Sequence, residues 1–272
     1  MEIEFIKTSP TENMTILVET LVPEEQQLAV AQKLIAYNSV YAEQAGFIQA
    51  PKDKRAAKAL RMMAGEFCGN ATLSLAAWLM EQKNMPVGGC ETLLLEISGA
   101  EELVPCEIQR EEQGYFGKID MPLPISIKWE EFQLEKETLH LPVVRFEGIW
   151  HVIVQREIWG EAAKTKAEQA AVIWTEKMPE AFGILLWDEK TRQLEPLVCL
   201  KGTSIIWERG CGSGTSAIGA FLAAEAGKDV SLQLKEPGGT MGVQASVKEG
   251  KIASLQISGH VSIVATGKAY IW

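Results

Sequence analysis

The feature that most constrains this chain is a short motif that occurs twice, each time directly before an apolar stretch. The first copy occupies residues 65–72 (G-E-F-C-G-N-A-T) and the second occupies residues 208–215 (E-R-G-C-G-S-G-T). The two cysteines, Cys68 and Cys211, lie about half of the 272-residue chain apart. A repeat at that spacing predicts two similar α+β halves, each of which presents one thiol at the start of a helix.

The spacing of apolar residues around the two motifs predicts a strand-rich chain with a few strong helices. The predicted helices cover residues 24–37, 69–82, 161–176 and 212–226. Strands are predicted at residues 14–19 and 204–207, and the tail from residue 235 alternates strand and turn. Two prolines, Pro122 and Pro124, break any regular element, so the best domain boundary lies at residues 121–124.

Charge and hydropathy exclude several classes of function. The chain has 26 basic and 36 acidic residues, a formal net charge of −10, whereas nucleic acid or an anionic membrane would require a basic face. The most apolar stretch, residues 71–80, is far shorter than the roughly 20 residues of a membrane span. Residues 1–7 lack the pattern of a signal peptide. We therefore expect a soluble, cytoplasmic protein that binds neither nucleic acid nor membrane.

The five cysteines narrow the chemistry further. Their odd number and the absence of a C-x-x-C pair argue against a disulfide framework and against a structural zinc site. Cys90, Cys106 and Cys199 lie in or beside strand-like runs, and we interpret them as core residues. Cys68 and Cys211 remain as the candidates for catalysis.

A thiol at a helix start can do acid–base chemistry. The partial positive charge of a helix N-terminus stabilises a thiolate, so the pKa of such a cysteine can fall from about 8.5 toward neutrality. The N–H groups of the first turn can hold a carboxylate and stabilise negative charge that develops on it. If two such thiols face one carbon atom, one can remove a proton and the other can add one to the opposite face. This arrangement inverts a stereocentre without a cofactor.

Six segments together resemble a known family. They are residues 13–18 (N-M-T-I-L-V), 43–48 (E-Q-A-G-F-I), 66–72 (E-F-C-G-N-A-T), 211–215 (C-G-S-G-T), 237–239 (P-G-G) and 264–271 (V-A-T-G-K-A-Y-I). The pattern resembles the diaminopimelate epimerase superfamily, which includes proline racemase-type enzymes. Within that superfamily it is most similar to the histidine racemases of staphylopine-type, or opine-type, metallophore biosynthesis. The resemblance covers nearly the whole chain.

The resemblance implies a fold and an activity. The fold would be α+β, with two pseudo-symmetric diaminopimelate-epimerase-like halves, each a barrel-like, mostly antiparallel sheet around a central helix. The halves would be residues 1–120, to which the final strand 262–272 returns, and residues 121–261. The substrate would lie in the cleft between them. The implied activity is interconversion of L- and D-histidine without pyridoxal phosphate or metal, in an enzyme that forms a homodimer.

Motif matches assign roles to individual residues. Cys68 and Cys211 would be the acid–base pair. Residues that would contact the substrate are Asn13, Gln44 and Glu208, with Glu208 as the partner of the α-ammonium, and the N–H groups of Gly69, Asn70, Gly212 and Ser213 on the carboxylate. Glu43 is a further candidate, because a carboxylate near the cleft can accept a hydrogen bond from an imidazole N–H; alternatively it is a solvated charge at a strand edge.

Departures from the superfamily pattern bear on the substrate. Ile149 stands where the epimerases carry an asparagine that reads the far end of diaminopimelate, which disfavours that substrate. Arg209 is either a solvated residue or a ligand for an acidic side chain, so a racemase of another amino acid remains an alternative. His151 lies in an apolar run and is either a core histidine or a site residue.

A different class of function also has a sequence signal. Residues 212–217 fit the G-x-G-x-x-A pattern of a dinucleotide-binding turn, and they follow a predicted strand and open a predicted helix. The pattern leaves Cys68 unexplained. A nucleotide-binding protein, or an amino-acid-binding protein without catalysis, is therefore the second class.

Overall fold

Apolar residues at alternate positions produce strands along most of the chain, and the structure is a sheet-rich α+β fold. We describe a computed structural model, which covers residues 1–202 and 204–272. The strands are β1 (Glu2–Pro10), β2 (Thr15–Val18), β3 (Gln44–Gln49), β4 (Lys58–Met62), β5 (Cys90–Ile97), β6 (Val104–Glu111), β7 (Gly114–Asp120), β8 (Ser126–Leu134), β9 (Glu137–Arg145), β10 (Trp150–Gln155), β11 (Ala181–Asp188), β12 (Gln193–Leu200), β13 (Ser204–Trp207), β14 (Val230–Glu236), β15 (Gly239–Lys248) and β16 (Lys251–Tyr270). The helices are α1 (Glu24–Ile35), α2 (Gly69–Gln82), α3 (Arg156–Trp159), α4 (Ala163–Trp174) and α5 (Gly212–Ala226).

The predicted helices and strands are confirmed, with small shifts at their ends. Helices α1, α2 and α5 match the predictions closely, and α5 ends at Gly227, which adopts the left-handed conformation (φ 60°, ψ 26°). Helix α4 is shorter than predicted, because short 3₁₀ turns at Gly160–Ala162 and Thr175–Lys177 replace its outer turns.

The chain divides into two compact units. Unit 1 comprises Met1–Asp120 and Ser258–Trp272, and unit 2 comprises Met121–Ile257. The second part of β16 belongs to unit 1, where it pairs antiparallel with β1 from Glu2 opposite Tyr270 to Pro10 opposite Val261. The N-terminal and C-terminal segments are thereby tied into the same sheet.

Both units show the same succession of strand pairings. In unit 1, β1 to β5 pair in order as antiparallel, parallel, antiparallel and parallel, and β5 then pairs antiparallel with β6. In unit 2, the strands β9, β10, β11, β12, β14 and β15 repeat that order. A helix lies in the chain between the strands of each parallel pair, because parallel neighbours need a crossover. Helices α2 and α5 occupy equivalent places in the two successions.

The two equivalent helices are the most deeply buried helices of their units. Helix α2 packs against every strand from β1 to β7, and all of its first nine residues are buried. Helix α5 packs against β9, β10, β14 and β15. Helix α5 is rich in alanine and glycine, which allows strands to approach closely; a Cβ atom at Gly219 would lie 2.3 Å from Val243. No helix among the described residues is both long and apolar enough to cross a membrane.

Two glycines in left-handed conformations provide a matched test of this packing. Gly99 has φ +72°, and a Cβ atom there would lie 2.3 Å from the backbone nitrogen of Phe67, the residue before Cys68. Gly88 has φ +83°, but a Cβ atom there would meet nothing within 4 Å. We expect Gly88→Ala to lower the free energy of unfolding by about 1–2 kcal/mol, the cost of a left-handed alanine.

Gly99→Ala should cost at least about 1 kcal/mol more than Gly88→Ala, because it adds a backbone clash to the same conformational strain. Urea unfolding of the two variants measures the difference. Equal losses of stability would contradict the close approach of the Gly99 loop to the segment before Cys68.

Candidate active site

Cys68 occupies the N-cap position of α2. Its backbone is extended (φ −136°, ψ 111°), and its Sγ accepts a hydrogen bond from the backbone N–H of Ala71 at 3.4 Å. The Cys68 carbonyl accepts from both the backbone N–H of Thr72 at 3.0 Å and the Thr72 hydroxyl at 2.8 Å. Gly69 and Asn70 follow as the first two helical residues, and both are buried. The sulfur is therefore fixed at the positive end of the helix.

A hydrogen-bonded network in unit 1 joins three of the residues that sequence analysis selected. The Gln44 side-chain nitrogen donates to Asn13 Oδ1 and to Thr15 Oγ1, both at 2.9 Å. With both of its N–H groups engaged, the amide presents Oε1 to Cys68 Sγ at 3.1 Å. An amide oxygen can only accept, so the Cys68 thiol is the donor. Asn13 is buried, so this network also anchors the loop between β1 and β2.

Glu43 lies directly before β3 and next to Gln44. Its backbone N–H donates to the Met14 carbonyl at 2.9 Å, and its side chain is partly buried. This position places the Glu43 carboxylate one residue along the chain from the amide that contacts Cys68.

Cys211 occupies the same position on α5 that Cys68 occupies on α2. Its backbone is extended (φ −117°, ψ 99°), and its Sγ accepts from the backbone N–H of Gly214 at 3.4 Å. Its carbonyl accepts from the backbone N–H of Thr215 at 2.8 Å. Gly212 and Ser213 are the first two helical residues, as Gly69 and Asn70 are in α2.

Two acidic side chains of unit 2 contact the Cys211 residue. The thiol donates a hydrogen bond to the Glu208 carboxylate. Glu236 is buried, and its Oε2 accepts from the Cys211 backbone N–H at 2.6 Å. Burial raises the pKa of Glu208 to about 7 and the pKa of Glu236 to about 8, although the hydrogen bonds they accept work in the opposite direction.

The expected lowering of the thiol pKa is wrong for Cys211. Burial raises the pKa of Cys211 well above its usual value, and the negative charges of Glu208 and Glu236 raise it further. The hydrogen bond with Ser213 opposes this effect but is smaller. The helix N-terminus alone therefore does not set the acidity of this thiol, because desolvation and two neighbouring carboxyl groups outweigh it.

His151 lies behind the Cys211 thiol and contacts it through Ser213. His151 is fully buried, its Nε2 lies 2.9 Å from Ser213 Oγ, and Ser213 Oγ lies 3.5 Å from Cys211 Sγ. Burial lowers the pKa of His151 to about 3, so the imidazole is neutral. Gly183, opposite His151 on the neighbouring parallel strand, makes room for the ring: a Cβ atom there would lie 2.3 Å from His151 Nδ1. The sequence left the role of His151 open, and the structure places it in the Cys211 environment.

The remaining cysteines differ from one another. Cys106 and Cys199 are buried as predicted, and burial raises the pKa of each to about 12. The prediction that Cys90 is a core residue is wrong, because Cys90 is the first residue of β5 and is exposed. Strand-like sequence does not imply burial at the end of a strand, where neighbouring strands no longer cover both faces.

Arg209 and the G-x-G-x-x-A pattern are also placed by the structure. Arg209 is exposed, and its guanidinium donates to the Pro237 carbonyl at 3.2 Å.

Strand β12 pairs antiparallel with β13 and parallel with β14, so the strands on either side of α5 run in opposite directions. A dinucleotide-binding turn requires two parallel strands joined through the helix. The geometry around α5 is therefore not that of a dinucleotide site.

Glu236 is a site residue that was not predicted from the sequence, although a signal was present. In β14 the side chains of Leu234 and Glu236 both face inward and are buried. A charged residue on the buried face of a strand is unusual and indicates a specific partner.

Among residues 1–202 and 204–272, no group of three or more His, Cys, Asp or Glu side chains is arranged to hold a metal ion.

Comparisons with known proteins identify relatives of this chain. Residues 2–270 match the family model described as the histidine racemase CntK N-terminal domain. A histidine racemase of Staphylococcus aureus strain Mu50 is 31% identical, over 99% of this chain and 98% of that protein. One of Fusobacterium nucleatum is also 31% identical, over 99% and 97%. The crystal structure of a hydroxyproline epimerase from Agrobacterium vitis, with bound trans-4-hydroxy-L-proline, has a TM-score of 0.72 at 13% identity, covering 98% of this chain and 92% of that one.

The buried, neutral His151 predicts how stability depends on pH. In the unfolded chain a histidine takes up a proton below about pH 6.5, whereas folded His151 does so only near its pKa of about 3. The unfolded state therefore binds more protons between these values, and stability falls as the pH is lowered through that window. We expect a contribution to the slope of about 1.4 kcal/mol per pH unit below pH 6.

Urea unfolding of the wild type and of His151→Phe at pH 4.5, 5.5 and 6.5 measures this contribution. The slope of stability against pH should be smaller in His151→Phe, since Glu208 and Glu236 contribute equally to both proteins. His140→Asn is the matched control, because it removes a histidine that is exposed rather than buried. An identical slope in the wild type and His151→Phe would contradict the neutral imidazole.

Proposed function

The chain belongs to the histidine racemase family, and on that premise we propose that it interconverts L- and D-histidine without a cofactor, using Cys68 and Cys211 as its two acid–base groups. The enzyme is an isomerase of the amino-acid racemase class. One observation carries the proposal: each unit has a buried helix capped by a cysteine, with Sγ 3.4 Å from the N–H of the third residue that follows. A structural cysteine has no need of this setting, and its repetition favours a paired chemical role.

The substrate carboxylate would bind at the two helix starts. Positions N1 and N2 are Gly69 and Asn70 in α2 and Gly212 and Ser213 in α5. The first N–H groups of a helix have no acceptor within the helix and favour an anion. When the α-proton leaves, negative charge spreads onto the carboxylate, and the same N–H groups stabilise it.

The substrate ammonium would pair with Glu208, which contacts the Cys211 thiol. A positive charge at that point favours ionised Glu208 and weakens the repulsion that opposes a Cys211 thiolate. Substrate binding would thereby lower the pKa of a thiol that burial and the two carboxyl groups hold high. The chemistry would begin only when the substrate is present.

The proton transfers use both sulfurs. One sulfur, as a thiolate, removes the α-proton from one face of the carbon, and the other, as a thiol, donates its proton to the opposite face. The C–H bond on the first face breaks, a C–H bond on the second face forms, and the configuration inverts. After one turnover the two sulfurs have exchanged protonation states, so the reverse reaction uses them in the opposite roles.

Specificity for histidine would come from unit 1. Asn13 and Gln44 form a polar wall beside Cys68. Glu43 lies next to this wall along the chain, and its carboxylate is suited to accept a hydrogen bond from an imidazole N–H. In this proposal Glu43 orients the imidazole, while Asn13 and Gln44 keep the substrate against Cys68.

We further infer that the two units are diaminopimelate-epimerase-like halves, each a barrel-like sheet around its central helix. The repeated succession of strand pairings and the equivalent places of α2 and α5 support this inference. The product would supply an opine-type metallophore, because histidine offers amine, imidazole and carboxylate groups as metal donors.

A direct experiment incubates reduced protein with L-histidine and follows D-histidine by chiral chromatography. We expect formation of D-histidine until the two enantiomers are equal, unaffected by EDTA or by hydroxylamine, which traps pyridoxal phosphate. L-Glutamate, L-proline and diaminopimelate are tested in parallel. Racemisation of one of these instead would replace histidine as the substrate, and no reaction with any of them would favour a binding role.

Substitution of single cysteines tests the two-thiol mechanism. We expect Cys68→Ser and Cys211→Ser each to lower kcat for racemisation by about 10²–10⁴-fold, because each removes one acid–base group. Cys90→Ser is the matched control, since Cys90 is an exposed thiol outside both helix starts, and should keep wild-type activity. Substantial activity in either helix-start variant would contradict the mechanism.

A further inference from the structure

Glu236 connects the end of β14 to the first turn of α5. Its Oε2 accepts from the Cys211 backbone N–H at 2.6 Å, and its Oε1 accepts from the Thr215 hydroxyl. The side chain is 7% exposed, so these bonds form away from solvent. Because Cys211 is the N-cap and Thr215 lies one turn later, one carboxyl group fixes both ends of the first turn that carries the sulfur.

Neighbouring bonds reinforce this connection. The Gly238 N–H donates to the Arg209 carbonyl at 2.7 Å, and the Arg209 guanidinium donates to the Pro237 carbonyl at 3.2 Å. The hairpin after β14 is therefore fastened to the segment before Cys211 at several adjacent points. Glu236 is the member of this connection that is both buried and ionisable.

The corresponding connection in unit 1 uses a neutral group. Ser98, which follows β5 as the hairpin residues follow β14, donates its hydroxyl to the Glu66 carbonyl at 2.7 Å and accepts from the Met62 N–H at 2.9 Å. The segment before Cys68 is thus held by a hydroxyl, whereas Cys211 itself is held by a carboxyl. The two helix starts match in backbone geometry but differ in the charge behind them.

The groups around Cys211 differ in whether they can carry a charge. Glu208 and Glu236 are acidic, Ser213 is neutral, and His151 beyond it is neutral because burial keeps its pKa near 3. Arg209 is exposed, and its side chain is directed to the Pro237 carbonyl. Three acidic groups, two carboxyls and one thiol, therefore lie close together around the start of α5, and they cannot all ionise together without mutual repulsion.

We propose that Glu236 is a positioning residue for the reaction, which holds the Cys211 backbone from behind α5 and whose charge opposes ionisation of the Cys211 thiol. The proposal rests on the catalytic role proposed for Cys211. Its consequence is that the surroundings of Cys68 and of Cys211 are electrostatically unequal although the backbones of the two helix starts match. The Cys211 side resists ionisation until a cation, such as the substrate ammonium, arrives.

The order in which Glu236 and Cys211 ionise predicts the direction in which the pKa of Cys211 should change when the charge of Glu236 is removed. Burial raises the pKa of Glu236 only to about 8, whereas the pKa of Cys211 is higher. Glu236 is therefore already an anion at the pH where the Cys211 thiol ionises. Replacing Glu236 with glutamine keeps an acceptor for the Cys211 N–H and a polar group for Thr215, but it removes the charge. The Cys211 thiol should then ionise at lower pH.

The experiment measures alkylation by iodoacetamide against pH in the full-length protein, with each modified cysteine identified by mass spectrometry. In Glu236→Gln we expect the midpoint of the Cys211 profile to fall by about one pH unit or more, and by more than any shift of the Cys68 midpoint, because Glu236 contacts Cys211 directly. The midpoint reports ionisation, and the absolute rate reports access, so burial of the thiol does not affect the result. Ser98→Ala, which removes the neutral connection of unit 1, should leave the Cys211 midpoint unchanged.

An unchanged Cys211 midpoint in Glu236→Gln, or equal shifts at both cysteines, would overturn the proposal. If this variant does not fold by circular dichroism, the wild type decides: a Cys211 midpoint at or below that of free cysteine, about 8.5, would overturn it. Glu236→Leu separates position from charge. It should shift the midpoint in the same direction and also lower kcat at least tenfold with little change in KM. Alkylation does not depend on turnover, so failure of the proposed racemase activity remains distinguishable.

Discussion

The site depends on a sulfur atom that caps a buried helix. In both α2 and α5 the N-cap cysteine accepts the N–H of the third following residue, and this bond fixes the sulfur at the positive end of the helix. A thiol is a weak acceptor, so the position must be enforced by the surrounding packing. Small residues near the helix starts allow strands and loops to approach closely enough to do this. The Gly99 loop and the Gly183–His151 pair are two examples.

Cys68 and Cys211 have matching backbone conformations, but the surroundings of their thiols differ. Cys68 donates to an amide oxygen that Asn13 and Thr15 hold in place, in a network built from two side-chain amides and a hydroxyl. Cys211 has Glu208 at its sulfur and Glu236 at its backbone, and both carboxyl groups oppose a thiolate. A two-thiol racemase needs one thiolate and one thiol at the same time. Inequality between the two environments is one way to prevent both thiols from ionising together, and in the proposed mechanism the substrate ammonium would supply the charge that permits Cys211 to ionise.

Local patterns predicted much of the fold. The apolar spacing in α1, α2 and α5 and the glycine that ends α5 were readable because they act over a single helical turn or two. The resemblance identified the family, and three of the residues it selected, Asn13, Gln44 and Cys68, lie in one hydrogen-bonded network. Thiol acidity could not be predicted, because it depends on burial and on Glu236, a residue distant from Cys211 in sequence. The prediction that Cys90 is buried failed for a similar reason, because the sequence of a strand does not reveal which strand ends remain exposed.

The central claim is that two different groups handle the proton on the two faces of the α-carbon. Racemisation of L-histidine in D2O, stopped in the first few per cent of turnover, tests it directly by mass spectrometry of each separated enantiomer. A two-thiol mechanism predicts that the D-histidine formed carries solvent deuterium at the α-carbon, while the remaining L-histidine is still protonated. If the D-histidine instead retains the original proton, one group must remove and return it, and the two-thiol mechanism is wrong.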